Sequence, residues 1–120
     1  MTAKLKSLVV ASALLLALAG CSGSTPSASG TWGQSTTHGK PYLELMSGGK
    51  LAGSDGCNRL AGNWKQSGST VTFGSLSSTR AFCQGVDTWL VHAESATVSG
   101  STMTVLNDNK SKIGTLTKTK

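Results

Sequence analysis

Short runs of β-forming residues, separated by Gly, Ser and Asn, fill the chain from Thr31 onward and favour an antiparallel, hairpin-rich fold. Residues 42–46 alternate around Leu43 and Leu45, with Glu44 between them, and a Ser-Gly-Gly turn at 47–49 separates them from residues 50–53. A strand with one buried face alternates in this way, and a glycine-rich turn lets two such strands pair. This pattern predicts a β-hairpin.

Further strands follow the same pattern. Turn residues at 67–69 and 99–101 each separate two runs of β-formers, and residues 107–109 precede a last run. The predicted strands beyond the first hairpin are a short one at Trp32 and those at residues 59–65, 71–76, 96–98, 102–106 and 113–116.

The hydrophobic period changes at Val86. Apolar residues then fall at spacings i, i+3, i+4 and i+7, which would place them on one stripe of a helix about ten residues long. These residues are Val86, Trp89, Leu90 and Ala93. The sequence therefore predicts a mostly β, α+β fold in which strands precede and follow one helix.

The amino-terminal residues have the pattern of an export signal. Two lysines precede an apolar stretch at residues 8–18, which is shorter than a membrane span of about 20 residues but suits the core of a signal peptide. Residues 18–21 read Leu-Ala-Gly-Cys, which resembles the bacterial lipobox, where the cysteine sulfur is acylated before cleavage. We therefore predict a lipoprotein signal peptide at residues 1–20 and lipidation of Cys21. A plain secretory signal with an incidental cysteine is the alternative.

The segment after the predicted cleavage site has the composition of a tether. Residues 21–30 are rich in Ser and Gly and contain no large apolar side chain. Residues 31–120 are then long enough for one domain. The whole chain carries a net charge of +6 at pH 7, but no basic stripe is interleaved with aromatic residues, so we expect no nucleic-acid partner.

Two separated sequence blocks resemble one family. Residues 53–64 read GSDGCNRLAGNW, which resembles the G-x-x-G-C-N-R-x-x-G-x-aromatic signature of the META domain, the HslJ-like family of small bacterial envelope proteins. Residues 78–83 read STRAFC and are similar to the T-R-x-x-C segment of that family. Gly100 and Met103 match its G-x-x-L spacing with Met in place of Leu, whereas Asp87 stands where members usually carry a Glu.

The resemblance implies a compact antiparallel domain, shaped as an incomplete β-barrel with one helix. It also implies a place in the bacterial envelope, because members of the family are associated with envelope stress, heat response and resistance to an antibiotic. The family offers no catalytic residues to carry over. We therefore expect a protein that is not an enzyme and needs no cofactor.

Cys57 and Cys83 are the cysteines that remain if Cys21 is lipidated. An even count, in a compartment without the cytosolic reductants, favours a disulfide between them. The alternatives are a metal site or a catalytic cysteine, each completed by His38 or His92. Neither histidine lies at a ligand spacing from either cysteine, so we expect the disulfide and no metal.

The block at residues 53–64 has two interpretations. Its glycines and its Asp-Gly pair are typical of a tight loop with a structural role. Alternatively, Asp55, Asn58 and Arg59 present a binding surface to a partner.

The large aromatic residues also have two interpretations. They could line a cavity for an apolar ligand, as incomplete barrels sometimes do, or they could simply fill the core. The second interpretation is favoured because the chain has few large side chains. The residues concerned are Trp32, Trp64, Phe73, Phe82 and Trp89.

Two functional hypotheses follow. The first is an extracytoplasmic lipoprotein, held on a bacterial cell membrane or outer membrane by acylated Cys21, that binds an envelope protein or component and contributes to stress tolerance. The second is a small inhibitor of an extracytoplasmic hydrolase, either a protease or a lysozyme-like enzyme, with Arg59 on its reactive edge.

Overall fold

Eight β-strands make up most of the domain. A computed structural model describes residues 25–120, and each strand in it pairs antiparallel with the next one along the chain. The strands are β1 (Gly30–Gly33), β2 (Tyr42–Leu45), β3 (Lys50–Ser54), β4 (Arg59–Ser67), β5 (Thr70–Ser78), β6 (Ser95–Ser99), β7 (Thr102–Leu106) and β8 (Lys112–Thr117). All the predicted strands and hairpins are confirmed.

The first and last strands meet and nearly close the sheet into a barrel. Trp32 of β1 forms an antiparallel bridge with Lys118, which directly follows β8. The Thr31 amide donates to the Lys120 carbonyl at 3.0 Å, and the Thr119 amide donates to the Thr31 carbonyl at 2.8 Å. The predicted antiparallel, barrel-like sheet is therefore confirmed.

The tight turns are set by glycine. The β4–β5 and β6–β7 hairpins each turn through two residues, of which the first is Gly68 or Gly100. The φ angles of these glycines are 61° and 60°, a region that a side chain disfavours and that two-residue hairpin turns require.

The connections alternate between the two ends of the barrel, because each strand runs antiparallel to its neighbours in sequence. We call one end the loop end, because it carries the longer connections at residues 34–41, 55–58, 79–94 and 107–111. We call the other the turn end; it carries the short connections at residues 46–49, 68–69 and 100–101, together with the start of β1 and the end of β8.

The core is built from the inward-facing side chains of the strands. In β2, for example, Leu43 and Leu45 are buried while Glu44 between them is exposed, as a two-residue period requires. Burial of a side chain of this size contributes about 1.5–3 kcal/mol. The largest fully buried apolar side chains are Trp32, Leu43, Leu45, Leu60, Leu90, Met103, Val71 and Val105.

Most of the aromatic residues belong to this core. Trp32 and Phe73 are buried in it, and Trp64 and Trp89 pack against it. Phe82 does not, since 87% of its surface is exposed. The interpretation of these aromatics as core residues is confirmed for the first four and wrong for Phe82.

The predicted helix is wrong. The segment holds one 3-10 turn, Trp89–His92. Thr88 before this turn has φ −94° and ψ 39° and makes no side-chain cap, and Ala93 after it is already extended with φ −66° and ψ 132°. The fold of the described residues is therefore mostly β without an α-helix.

Tertiary packing explains why the apolar spacing predicts a helix that does not form. Leu90 is fully buried in the core, and the Trp89 ring lies against Gly114 of β8, where a Cβ atom would come within 2.5 Å of ring atom Cη2. The Glu94 amide already donates to the Leu106 carbonyl at 2.9 Å. Because the backbone is already extended at Ala93 to meet β7, the helical part of the segment is limited to the single turn Trp89–His92.

The residues just before β1 also contact the barrel. Ala28 is 1% exposed, and its amide donates to Gln66 Oε1 at 2.7 Å. Gln66 Nε2 donates to the Pro26 carbonyl at 3.0 Å, and Trp32 Nε1 donates to the Ala28 carbonyl at 2.8 Å. Residues 26–30, the last part of the predicted tether, thus pack on the turn end, while the predicted domain boundaries stay predictions.

The predicted signal peptide and Cys21 lie outside the described residues. Within residues 25–120, no helix has the length and apolar character needed to cross a membrane.

Candidate functional site

A disulfide joins Cys57 to Cys83 at the loop end. The Sγ atoms are 2.04 Å apart and the Cα atoms 5.8 Å apart. The predicted pairing is confirmed, and it links the β3–β4 loop to the segment that follows β5. Because a sulfur bound in a disulfide is not a thiolate, neither cysteine can serve as metal ligand or nucleophile in this form, and the alternatives that combined them with His38 or His92 are wrong.

Asp55 holds the β3–β4 loop together from inside. Its side chain is 0% exposed, and Oδ1 accepts the amide hydrogens of Cys57 at 2.9 Å and Asn58 at 2.5 Å. The Asp55 amide donates in turn to the Asn58 carbonyl at 3.0 Å. Aspartate commonly stabilises turns in this way, by bonding amides two or three residues ahead.

Asn58 extends the same network to the neighbouring segment. Its Oδ1 accepts the Ala81 amide at 2.6 Å and the Thr79 hydroxyl at 3.1 Å. Its Nδ2 donates to the Ala81 carbonyl and to Asp55 Oδ2, both at 3.4 Å. Asn58 is only 8% exposed, so these internal bonds occupy the amide. The loop between β3 and β4 and the segment after β5 therefore act as one unit.

The large side chains that face solvent at this unit are two arginines and a phenylalanine. Among the three residues predicted to bind a partner, Arg59 is the exposed one. Arg80 is also exposed, and Phe82 is the most exposed large apolar side chain among the described residues. The position of Phe82 between Arg80 and Cys83, outside any alternating run, is the sequence signal that it does not belong to the core.

An open groove of about 540 Å³ runs beside this unit, between the end of β5 and the 3-10 turn. We call it the β5 groove. Leu76 and Val91 supply its apolar side chains, Ser78 and Thr88 supply hydroxyl groups, and Arg80 supplies an exposed charge. Asp55 and Asn58 reach it from the buried side. A smaller groove of about 370 Å³ lies around Arg59.

The described residues contain no group of three or more His, Cys, Asp and Glu side chains that could hold a metal ion. His38 and His92 are both exposed. The exposed groups at the unit are the guanidinium groups of Arg59 and Arg80 and the ring of Phe82.

The sequence was also compared with known proteins. The family model described as META domain matches residues 17–120 of the chain. No curated protein matches the chain. No solved structure matches it either.

Proposed function

The chain belongs to the META domain family, and from that premise we propose that it is a membrane-anchored, non-enzymatic envelope lipoprotein whose loop end binds another envelope protein or component in stress tolerance. The lipobox-like residues 18–21 support the anchor. The position of the turn end supports an orientation in which the loop end faces away from the membrane, because the chain enters the barrel at the turn end, at Gly30. An anchor ahead of Gly30 would leave the loop end as the part of the barrel farthest from the bilayer.

One observation carries the binding role: Phe82 is 87% exposed on a segment that is fixed on both sides. Asn58 bonds both peptide groups of Ala81, and the disulfide holds Cys83. Exposing an aromatic ring to water is unfavourable, and aromatic and arginine side chains dominate the energetics of protein interfaces. A ring held in place in advance loses little conformational entropy on binding.

The proposal of a non-enzymatic role is supported by what the polar groups at the loop end already do. The Asp55 carboxylate accepts amide hydrogens of its own loop, and the Asn58 amide bonds the neighbouring segment. A general acid or base must instead reach a proton on a substrate. These side chains are therefore already engaged in hydrogen bonds that stabilise the loops.

The anchor is tested by mass spectrometry of the mature amino terminus. We expect a first residue Cys21 that carries acyl chains, and membrane fractions that retain the protein. Cys21→Ser should release it into the soluble fraction, whereas the neighbouring Ser22→Ala should not. A mature protein that keeps residues 1–20, or an unmodified Cys21, would disprove the anchor.

The binding surface is tested by photo-crosslinking in the native envelope. A photoreactive amino acid at position 82 should capture one protein or component, and the same amino acid at Ser101, exposed in the β6–β7 turn of the opposite end, should not. Equal capture at both positions, or none at position 82, would contradict the proposal.

Inhibition of an extracytoplasmic hydrolase is the second candidate, because a rigid exposed loop is also what a hydrolase inhibitor presents. It predicts that the purified protein slows a protease or a lysozyme-like enzyme, and that Phe82→Ala or Arg59→Ala relieves the inhibition. If neither enzyme class is slowed at high molar excess, the first proposal stands alone.

A further inference from the structure

Strand β5 is paired from end to end on one side, apart from a β-bulge at residues 75–76, but along only part of its length on the other. On the β4 side, pairing runs from Thr70 to Ser78. On the β6 side, it covers Thr70 to Thr72. The loop-end half of β5 therefore presents an open edge, and an open edge can accept another strand.

The pairing between β5 and its neighbour β6 ends at Phe73. The Phe73 amide donates to the Glu94 carbonyl at 3.0 Å. In a continued antiparallel ladder the Glu94 amide would return a bond to the Phe73 carbonyl, but it donates to Leu106 of β7 at 2.9 Å instead. Beyond this point the chain turns away into the 3-10 turn Trp89–His92, which leaves the Phe73 carbonyl without that donor.

At the end of β5, the amide and the carbonyl of Ser78 also point away from β4. The Thr79 amide donates to the Arg59 carbonyl of β4 at 3.2 Å, and Ser77 stands opposite Ala61. Because the peptide groups of successive residues in an antiparallel strand point to opposite sides, those of Ser78 face the β5 groove. A donor and an acceptor at the strand end thus line the groove.

The side chains around this edge indicate what would fit. Leu76 and Val91 give the groove an apolar floor, and Arg80 gives its end near the β3–β4 loop a positive charge. The acidic residues of this edge, Glu94 and Asp108, line the adjoining groove at its other end. The Asp55 carboxylate near the groove is buried and accepts two amide hydrogens of its own loop, so its hydrogen-bond partners lie within that loop. Arg59 is also exposed, but it begins β4 on the paired side of β5 and lines the smaller groove.

We propose that the open edge of β5 binds an extended, acidic segment of the partner protein as an added β-strand. Main-chain bonds to β5 would align the segment, an apolar side chain would cover Leu76 and Val91, and a carboxylate would pair with Arg80. A helix has no free backbone groups to offer such an edge, because its own turns use them. This inference rests on the proposed function, since it names the chemistry of the partner that Phe82 would contact.

The test uses the full chain in detergent and a phage-displayed library of random peptides as the probe. We expect enriched peptides that contain Asp or Glu, and exchange of the Ser78 amide hydrogen that slows at least about tenfold when such a peptide is bound. Arg80→Glu should weaken binding at least about tenfold, whereas Lys65→Glu, a matched charge reversal on the exposed face of β4, should not. Ser78→Pro removes the edge amide and should weaken binding as well.

Several outcomes would overturn the edge proposal. These are the absence of any enriched peptide, peptides that bind Arg80→Glu as tightly as the wild type, and a Ser78 amide that stays unprotected in the complex. A Ser78 amide that becomes protected with rising protein concentration alone would show a second copy of this chain on the edge, and would also overturn it. If Ser78→Pro does not fold, peptide binding by Arg80→Glu still tests the proposal.

The two proposals fail in distinguishable ways. A partner captured at position 82 that leaves the Ser78 amide unprotected would disprove the added strand and keep the proposed function. Peptides that bind the edge while nothing is captured at position 82 in the envelope would disprove the proposed function instead.

Discussion

Asn58 holds Ala81 by both of its peptide groups, although 23 residues separate them in the chain. The Asn58 side-chain oxygen accepts the Ala81 amide and its nitrogen donates to the Ala81 carbonyl. The Asn58 side chain thus makes the two hydrogen bonds to Ala81 that a neighbouring strand would otherwise make. The bonds fix the segment that carries Arg80 and Phe82 without any regular secondary structure.

Replacement of Asn58 by Ala should destabilise the domain by about 2 kcal/mol, because the change removes the four hydrogen bonds of a side chain on a residue that is 8% exposed. Urea denaturation measures the loss. Asn63→Ala, on the exposed face of β4, is the matched control and should change the stability by less than about 0.5 kcal/mol. Equal effects of the two changes would show that Asn58 does not connect the loops.

Reduction of the disulfide should lower the free energy of unfolding by about 3.5 kcal/mol, given the 26-residue separation of Cys57 and Cys83. The physical reason is that the reduced chain has more conformational freedom when unfolded. Thermal denaturation with and without reductant measures the effect, and the double variant Cys57→Ser, Cys83→Ser should lack the reductant response. Titration of two reactive thiols in the folded, unreduced protein would contradict the bond.

Replacement of Leu90 by Ala should cost about 2–5 kcal/mol, because it empties a fully buried site in the core. His92→Ala changes an exposed residue of the same 3-10 turn and should cost less than about 0.5 kcal/mol. Calorimetric melting of the two variants separates core packing from the turn itself. A small loss for Leu90→Ala would mean that the turn does not close the core.

Replacement of Gly114 by Ala should cost about 1–3 kcal/mol, because the new Cβ would lie 2.5–2.7 Å from three atoms of the Trp89 ring. The displaced ring should also shift the tryptophan fluorescence. Gly74→Ala is the control, since a Cβ there meets no atom within 4 Å. If Gly114→Ala leaves both the stability and the fluorescence unchanged, Trp89 does not pack on β8.

The strands could be predicted from the sequence because their signals are local. Alternating side chains and glycine turns at Gly68 and Gly100 mark the two hairpins within a few residues. The 3-10 turn could not be predicted in this way, since the spacing of Trp89, Leu90 and Ala93 suits a helix and only packing on β7 and β8 prevents it. Local periodicity decides a structure only where tertiary contacts agree with it.

The site was predictable to a similar extent. Turn chemistry at Asp55 and the pairing of Cys57 with Cys83 follow from residue types and cysteine count. The bonds from Asn58 to Ala81 and the exposure of Phe82 depend on how two distant loops meet, and no local pattern encodes that. The open half of β5 likewise depends on where β6 turns away, at Glu94.

The contact between β1 and the residues after β8 bears on how the protein is made. The Thr31 amide bonds the Lys120 carbonyl, so β1 gains its second neighbour only when the last residues of the chain are available. Contacts between such distant residues form late and slowly. During synthesis, β1 must therefore stay half-paired until residues 118–120 are available, and removal of those residues should leave an unpaired strand edge that chaperones and proteases can recognise.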